Sequence, residues 1–243
     1  MITRRSWLAG ATAAGLAMGA NEPAPYKRGK GWKNLSGAGL EGWVDEHSKP
    51  HEWMAANAVA ASGKTLNASG SGQILVNGPK GRTGNLVTGT KFGDVELYVE
   101  FMVPQGSNSG VYLQGLYEIQ VFDSHGVAKP STTDCGAIYH RWINEKPVGG
   151  SAPRVNASRA PGEWQWFHAW FEAPRFDASG KKTKDARFVR VLHNGQVVQE
   201  NVVVDGGTRA HMNIPEAAQN PIMLQGDHGP VAYRNLWIRP SGK

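Results

Sequence analysis

Residues 94–103 alternate between apolar and polar side chains with the two-residue period of a β-strand. One parity is entirely apolar and consists of Val95, Leu97, Val99, Phe101 and Val103. Because successive side chains of a strand point to opposite faces, one face of this strand is buried and the other faces solvent or a groove. Residues 164–172 alternate in the same way, and an apolar period near 3.6 is sustained nowhere in the chain. The pattern therefore argues against a helical domain.

Short apolar runs and many turn residues extend this pattern along the chain. The 243 residues include 31 glycines, 14 prolines and 9 tryptophans, a composition that favours an all-β protein. Further strands are predicted at 111–114, 116–122, 188–192, 197–204, 221–225 and 231–238. Asn194 and Gly195 join the third and fourth of these in a hairpin. The sequence predicts a two-sheet antiparallel sandwich of the jelly-roll type over residues 32–240.

Three other segments carry weaker local signals. Residues 173–186 are polar and aperiodic, which indicates a loop, and residues 216–219 are consistent with a single helical turn. In the last strand the apolar parity changes at Arg234–Asn235. This change predicts a β-bulge, a distortion often found beside functional sites.

The N-terminal segment resembles an export signal. Arg4 and Arg5 precede a weakly apolar stretch at 9–20, the arrangement of a twin-arginine signal peptide over residues 1–20. We expect the twin-arginine translocase to be a partner, a polar linker at 21–31 and a periplasmic or secreted mature protein. The apolar stretch is too short to span a bilayer, so no membrane anchor is expected in the mature form. The alternative is an amphipathic N-terminus without an export function.

Composition excludes several function classes. Cys135 is the only cysteine, so an internal disulfide and a zinc site built from cysteines are both excluded. The formal net charge is +6, but the basic residues are scattered rather than clustered, which argues against a nucleic-acid partner. Nucleotide-binding loops and the usual hydrolase motifs are missing from the sequence.

A first polar cluster lies on the predicted strand at 116–122. Glu118 and Gln120 are two residues apart and therefore share one face, opposite the core face. The core face is assigned to Tyr117, Ile119 and Val121. Tyr112 and Gln114 of the preceding strand can line the same surface as Glu118. The alternative is an ordinary solvated outer face.

A second polar cluster follows the strand at 221–225. It contains the amide of Gln225, the carboxylate of Asp227, the imidazole of His228 and the guanidinium of Arg234. A histidine in a glycine-bounded turn can point into a pocket and titrate near neutral pH, and an arginine can hold a carboxylate or an oxyanion. The alternatives are a surface turn histidine and a surface ion pair.

Six short stretches of the sequence match the pattern of a known family: Leu40–Trp43, Asn108–Val111, Tyr117–Asp123, Gly136–Tyr139, Leu224–Gly229 and Arg234–Leu236. Through them the chain resembles the 3-keto-disaccharide hydrolase domain family. Their order spans about residues 32–239. Gly226 is an insertion relative to the family pattern. The resemblance implies a concanavalin A-like jelly roll that acts on oxidised, 3-keto glycosides or disaccharides.

Roles for individual residues are our hypotheses for the implied activity. Glu118, Gln120 and His228 are the predicted catalytic residues. Predicted substrate contacts are Asn108, Tyr112, Gln114, Tyr139, Gln225 and Arg234. No cofactor is required by the sequence, but a divalent cation is one candidate, with Glu118, Asp123 and His228 as its ligands.

The implied reaction starts from the acidity of the hydrogen on sugar carbon 2, beside the keto group. Its removal gives an enolate that expels the glycosidic oxygen from carbon 1, and water then adds to the enone. His228 or Glu118 is the candidate base; Gln120, Arg234 or the cation would stabilise the enolate.

Two other functions remain open at this point. One is a non-catalytic, lectin-like carbohydrate-binding module, since jelly rolls serve both purposes. The other is a conventional glycoside hydrolase, which would cleave unoxidised glycans. A retaining hydrolase needs two close carboxyl groups, and Gln120 stands where laminarinase-type enzymes carry the central acid, so this alternative is disfavoured.

Overall fold

The computed structural model describes residues 24–27, 29–47, 49 and 51–241. Within these residues, a 3₁₀ turn at Pro25–Lys27 precedes 17 strands. The strands are β1 (Lys33–Asn34), β2 (Trp43–Asp45), β3 (Met54–Ser62), β4 (Thr65–Val76), β5 (Leu86–Phe92), β6 (Val95–Met102), β7 (Asn108–Leu113), β8 (Tyr117–Phe122), β9 (Arg141–Ile143), β10 (Lys146–Val148), β11 (Gln165–Glu172), β12 (Arg175–Phe176), β13 (Lys182–Lys184), β14 (Ala186–His193), β15 (Gln196–Val204), β16 (Asn220–Leu224) and β17 (Ala232–Pro240).

Two antiparallel sheets form the sandwich. The eight-stranded sheet has the order β15-β14-β11-β6-β17-β4-β3, with β1 also paired to β17. The five-stranded sheet has the order β2-β5-β16-β7-β8. Strands far apart in sequence are neighbours in both sheets, as in β6 beside β17 and β16 beside β7. The predicted all-β, two-sheet antiparallel architecture is confirmed.

The core lies between the two sheets and follows the predicted parities. The five apolar side chains of β6 and its following turn are buried in one cluster with Tyr117, Ile119 and Val121 of β8. Phe101 and Phe167 pack with ring centroids 4.7 Å apart, and both are fully buried. Truncation of such an aromatic side chain to alanine usually costs about 3–5 kcal/mol. Since Glu118 has the parity opposite to the core, it faces outward from the five-stranded sheet.

Two local predictions are confirmed in the large sheet. β14 and β15 form a hairpin whose turn residues Asn194 and Gly195 have φ values of 48° and 88°, the left-handed conformation that asparagine and glycine favour. In β17 the register with β6 shifts between Arg234 and Trp237, and Asn235 has a φ of 46°. The predicted bulge is therefore present.

Other local predictions differ from the structure. Within 173–186 the structure has the short hairpin of β12 and β13 rather than a loop; such short strands with partly exposed side chains on both faces give no alternation. Residues 216–219 form no helical turn. Part of the predicted linker packs on the sandwich, since Tyr26 stacks on Trp237 with centroids 4.6 Å apart. The predicted signal peptide, 1–20, lies outside the described residues.

Cys135 is buried in the main core cluster. Burial raises the pKa of its thiol to about 12. Within the described ranges, no helix has the length and apolar character needed to cross a bilayer.

Candidate active site

A pocket of about 260 Å³ lies on the outer face of the five-stranded sheet. Its floor is formed by β7 and β8 and by Gln225, which directly follows β16, and three loops complete the wall. Its lining residues are Asn108, Tyr112, Glu118, Gln120, Tyr139, Arg209, Ala210, Gln225 and His228. The wall is mostly polar, which suits a small ligand with many hydroxyl groups.

Glu118 is the buried acid of this pocket, with an exposed fraction of 3%. It pairs with Tyr112 across the β7–β8 ladder, and its carboxylate lies over the backbone of Gly110. Burial raises the pKa of Glu118 to about 8; the neighbouring Tyr112 hydroxyl opposes this shift and the charge of Asp227 adds to it. The Tyr112 hydroxyl donates its proton to the Arg209 carbonyl at 3.1 Å. The carboxyl group is therefore mostly protonated at neutral pH.

The raised pKa of Glu118 predicts a pH-dependent stability. Between its ordinary value of 4.5 and about 8, the native state binds more protons than the unfolded state. The free energy of unfolding therefore falls as pH rises through this window, by up to about 1.4 kcal/mol per pH unit. Urea denaturation at several pH values measures the slope. Glu118→Gln is expected to reduce the slope, whereas equal slopes in the two proteins would contradict the raised pKa.

His228 and Asp227 form a hydrogen-bonded pair at the pocket. Nδ1 of His228 lies 2.5 Å from Oδ1 of Asp227. Because the carboxylate only accepts hydrogen bonds, Nδ1 carries the proton, and Nε2 keeps its lone pair when the imidazole is neutral. The hydrogen bond from His228 to Asp227 raises the pKa of His228, and burial only partly opposes this. An imidazole held in this way by a carboxylate is suited to accept a proton through Nε2.

Replacement of Asp227 by asparagine is expected to lower the pKa of His228, since the largest cause of its upward shift is lost. We also expect about a tenfold lower kcat, because the imidazole loses the partner that fixes its tautomer. An NMR titration of the imidazole protons measures the pKa. Asp123→Asn is the matched control, since Asp123 lines a different depression. An unchanged pKa in Asp227→Asn would contradict the pairing.

A buried asparagine holds the loop that carries His228. The Asn77 side chain donates to the carbonyl groups of Gly226 and Gly229, at 2.9 and 2.8 Å, and accepts from the Val231 amide at 2.7 Å. Asn85 adds a hydrogen bond from the Gly226 amide. The amide and the carbonyl group of the inserted Gly226 are therefore both hydrogen-bonded. These bonds hold the loop in the conformation that places Asp227 beside His228.

Sequence reasoning missed Arg209, which lines the pocket from the loop between β15 and β16. The neighbouring Thr208 is fully buried, and its hydroxyl accepts from the Glu118 amide at 3.1 Å. The Arg209 amide donates to the His140 carbonyl. The guanidinium charge slightly opposes the upward shift that Asp227 gives the pKa of His228. A loop residue without periodicity gives no sequence signal for this placement.

The pocket brings together most of the predicted site residues. Seven of them line it: Asn108, Tyr112, Glu118, Gln120, Tyr139, Gln225 and His228. They come from β7, β8, the end of β16 and two loops. Their shared location is what the sequence predicted, whereas their individual roles stay predictions.

Two predicted substrate contacts lie elsewhere. Arg234 projects from the outer face of the eight-stranded sheet, where it pairs with Glu100 at 2.6 Å and stacks over Trp164 at 4.0 Å. Gln114 has a φ of 57°, and its side-chain amide donates to the carbonyl groups of Phe92 and Ala218. Both residues were predicted to contact the substrate in the pocket, and both predictions are wrong. Arg234 lies in β17 of the opposite sheet. Strand β7 ends at Leu113, so Gln114 does not continue its alternation of faces.

The predicted cation site is also wrong in its ligand set. Asp123 accepts a hydrogen bond from the Gly106 amide at 2.8 Å and lines a separate depression with His125. It does not join Glu118 and His228. Among the described residues, no group of three or more His, Cys, Asp or Glu side chains is arranged to hold a metal ion.

Solved structures of similar fold include proteins of Parabacteroides distasonis ATCC 8503 provisionally described as glycosyl hydrolases. One is 26% identical, with a TM-score of 0.64 over 86% of this chain and 84% of that chain. A second is 21% identical, with a TM-score of 0.51 over 86% and 98% of the two chains. A third is 14% identical, with a TM-score of 0.52 over 91% and 99%. The latter two show the fold alone.

Fold and pocket together define a carbohydrate-active, glycosyl hydrolase-like jelly roll. No curated protein matches the sequence. The family model of the 3-keto-alpha-glucoside-1,2-lyase-like domain matches residues 31–239, and the chain belongs to this family. The resemblance drawn from the sequence motifs is thereby confirmed.

Proposed function

We propose that the protein cleaves the glycosidic bond of 3-keto-glycosides by elimination and hydration. One observation carries the proposal: a buried carboxyl group, whose pKa burial raises to about 8, and an aspartate-paired imidazole line the same small polar pocket. An elimination at adjacent sugar carbons needs one proton acceptor and one proton donor. The opposite environments of His228 and Glu118 suit these two tasks.

In the first half of the reaction, Nε2 of His228 removes the proton from carbon 2. The electron pair moves into the carbonyl group and gives an enolate, and Arg209 supplies the fixed positive charge beside it. The enolate then reforms the ketone as the bond from carbon 1 to the leaving oxygen breaks. Glu118 donates its proton to that oxygen, which leaves an enone and an ionised carboxylate.

In the second half, the carboxylate of Glu118 takes a proton from water as the water oxygen adds to carbon 1. His228 returns its proton to carbon 2. Both residues regain their starting protonation, so the cycle closes without an external oxidant or reductant. The net change is hydrolysis of the glycosidic bond.

Two amide side chains suit recognition of the sugar hydroxyls. Gln120 donates through Nε2 to the Thr133 carbonyl at 3.2 Å, which leaves its buried Oε1 as an acceptor. The buried Oδ1 of Asn108 also has no hydrogen-bond partner among the described residues. Because a buried polar atom is stabilised by a partner, each oxygen suits a hydroxyl donor of the substrate.

The test is incubation of the purified protein with methyl 3-keto-glucoside and with unoxidised methyl glucoside, with and without a chelator. Mass spectrometry follows aglycone release, and ultraviolet absorbance follows the enone. Release from the keto compound alone supports the proposal. Cleavage of the unoxidised compound instead indicates a conventional glycoside hydrolase, and binding without cleavage indicates a lectin-like module. Loss of activity on chelation would identify a cation requirement.

We also propose that the protein is exported, on the basis of Arg4 and Arg5 and the weakly apolar stretch at 9–20 that follows them. In a bacterial host with a twin-arginine translocase, the protein is expected in the periplasm or medium, and Arg4→Lys with Arg5→Lys is expected to retain it in the cytoplasm.

A further inference from the structure

A second depression of about 300 Å³ adjoins the active-site pocket. The two cavities share Arg209 and Ala210 as a common wall. The second cavity continues outward to Trp142 on β9, in the small hairpin of β9 and β10. The active-site pocket itself, at about 260 Å³, lies below the range of about 300–1,000 Å³ typical of ligand pockets. It therefore suits one sugar ring, and a larger substrate has to extend beyond it.

A continuous series of rings leads from the pocket to this hairpin. Tyr139 lines the pocket and stacks on His140, with centroids 4.2 Å apart and planes 26° apart. The ring of Trp142 follows at 6.0 Å from His140. The guanidinium of Arg209 lies over Trp142, 4.0 Å from the ring centroid. Trp142 is thus fixed in place although its exposed fraction is 45%.

The hairpin concentrates exposed apolar surface beside the pocket. Trp142, Ile143 and Val148 are exposed by 45%, 39% and 37%, and all three belong to β9 and β10. Exposed apolar side chains grouped next to a pocket often mark a binding surface. A sugar ring has apolar C–H faces and polar edges, which match an aromatic ring next to a guanidinium.

We propose that Trp142 and Arg209 form a second subsite that binds the leaving-group sugar of a 3-keto-disaccharide. This inference rests on the proposed function of the pocket. It assigns the oxidised ring to the pocket and the departing ring to the depression beside it. It therefore predicts a preference for disaccharides over glycosides with a small aglycone.

The experiment compares kcat/KM for a 3-keto-disaccharide and for methyl 3-keto-glucoside in the wild type, Trp142→Ala and Trp142→Phe. Trp142→Ala is expected to lower the ratio of the two values by about tenfold, the effect of losing one stacking surface. Trp142→Phe is expected to keep most of the ratio. Val203→Ala is the control, since Val203 is an exposed apolar residue of β15 that lines neither cavity. An unchanged ratio in Trp142→Ala overturns the proposal, as does an equal loss on both substrates, which would reflect displacement of Arg209 alone.

If the wild type cleaves neither keto compound, the proposed function fails, and binding decides the subsite separately. The probes are then an unoxidised disaccharide and methyl glucoside, titrated while tryptophan fluorescence is recorded. Tighter binding of the disaccharide that Trp142→Ala abolishes supports the subsite. Equal affinity for the two sugars, or a preference that survives in Trp142→Ala, overturns it.

Discussion

The Glu118→Gln variant is expected to lose about a thousandfold in kcat on a 3-keto-glycoside while it stays folded. The amide has nearly the same shape as the carboxyl group, but it cannot give a proton to the leaving oxygen, and loss of a positioned acid usually costs about 10²–10⁴-fold. The site is buried, and burial raises the pKa of the carboxyl group to about 8, so its neutral form predominates at neutral pH. The neutral amide therefore adds no desolvation cost.

Steady-state kinetics measure this effect, with circular dichroism and urea denaturation as the folding checks. Glu52→Gln is the matched control, since Glu52 is exposed and does not line the pocket. Full turnover by Glu118→Gln would remove Glu118 from the mechanism. A variant that binds the keto-glycoside with unchanged affinity but does not cleave it would place the loss in the chemical steps.

The Gly110→Ala variant is expected to lose about a hundredfold in kcat/KM. A Cβ at this position would lie 2.8 Å from Cε2 of Tyr112 and even closer to Oε1 of Glu118. One of the two side chains has to move, and a displacement near 1 Å at a reacting group costs about this much. Glycine is needed here for close approach rather than for its backbone conformation, since Gly110 has no positive φ.

Gly89→Ala provides the control in the same sheet. Gly89 lies in β5, and a Cβ there meets only the Gly42 carbonyl oxygen at an ordinary contact distance of 3.5 Å. We expect the control to keep its activity within about twofold, because no contact has to adjust. Wild-type kinetics from Gly110→Ala would show that the carboxyl group of Glu118 tolerates displacement.

Much of the fold could be predicted because its strands are amphipathic. One parity of Val95 to Val103 and of Tyr117 to Val121 is wholly apolar, and it determines which side chains enter the core between the sheets. The prediction that the other face of 95–103 is open to solvent or a groove is wrong for Glu96, Tyr98 and Met102, which are buried as well. The hairpin at Asn194–Gly195 carries its own turn chemistry. The hairpin of β12 and β13 could not be predicted, because its side chains are partly exposed and no periodicity distinguishes them from a loop.

The site was predictable where strand parity determined it and not elsewhere. Glu118 and Gln120 share a face by spacing alone, and the pocket contains both. Arg234 was misplaced because its parity does not reveal which of the two sheets its strand joins. The position of Arg209 depends on its neighbour Thr208, whose hydroxyl accepts a hydrogen bond from the Glu118 amide of β8. The two bonded residues are 90 positions apart in the sequence. Only the folded chain brings such residues together.

The single thiol of the protein can be used to measure transient opening of the folded structure. Cys135 lies in the core with almost no solvent contact, and its pKa of about 12 leaves hardly any thiolate at neutral pH. Alkylating reagents attack the thiolate, so the native protein should be nearly inert toward them. Each labelled molecule has therefore passed through an opened state. The rate of thiol labelling would therefore measure how often the native protein opens, and no probe has to be introduced into the chain.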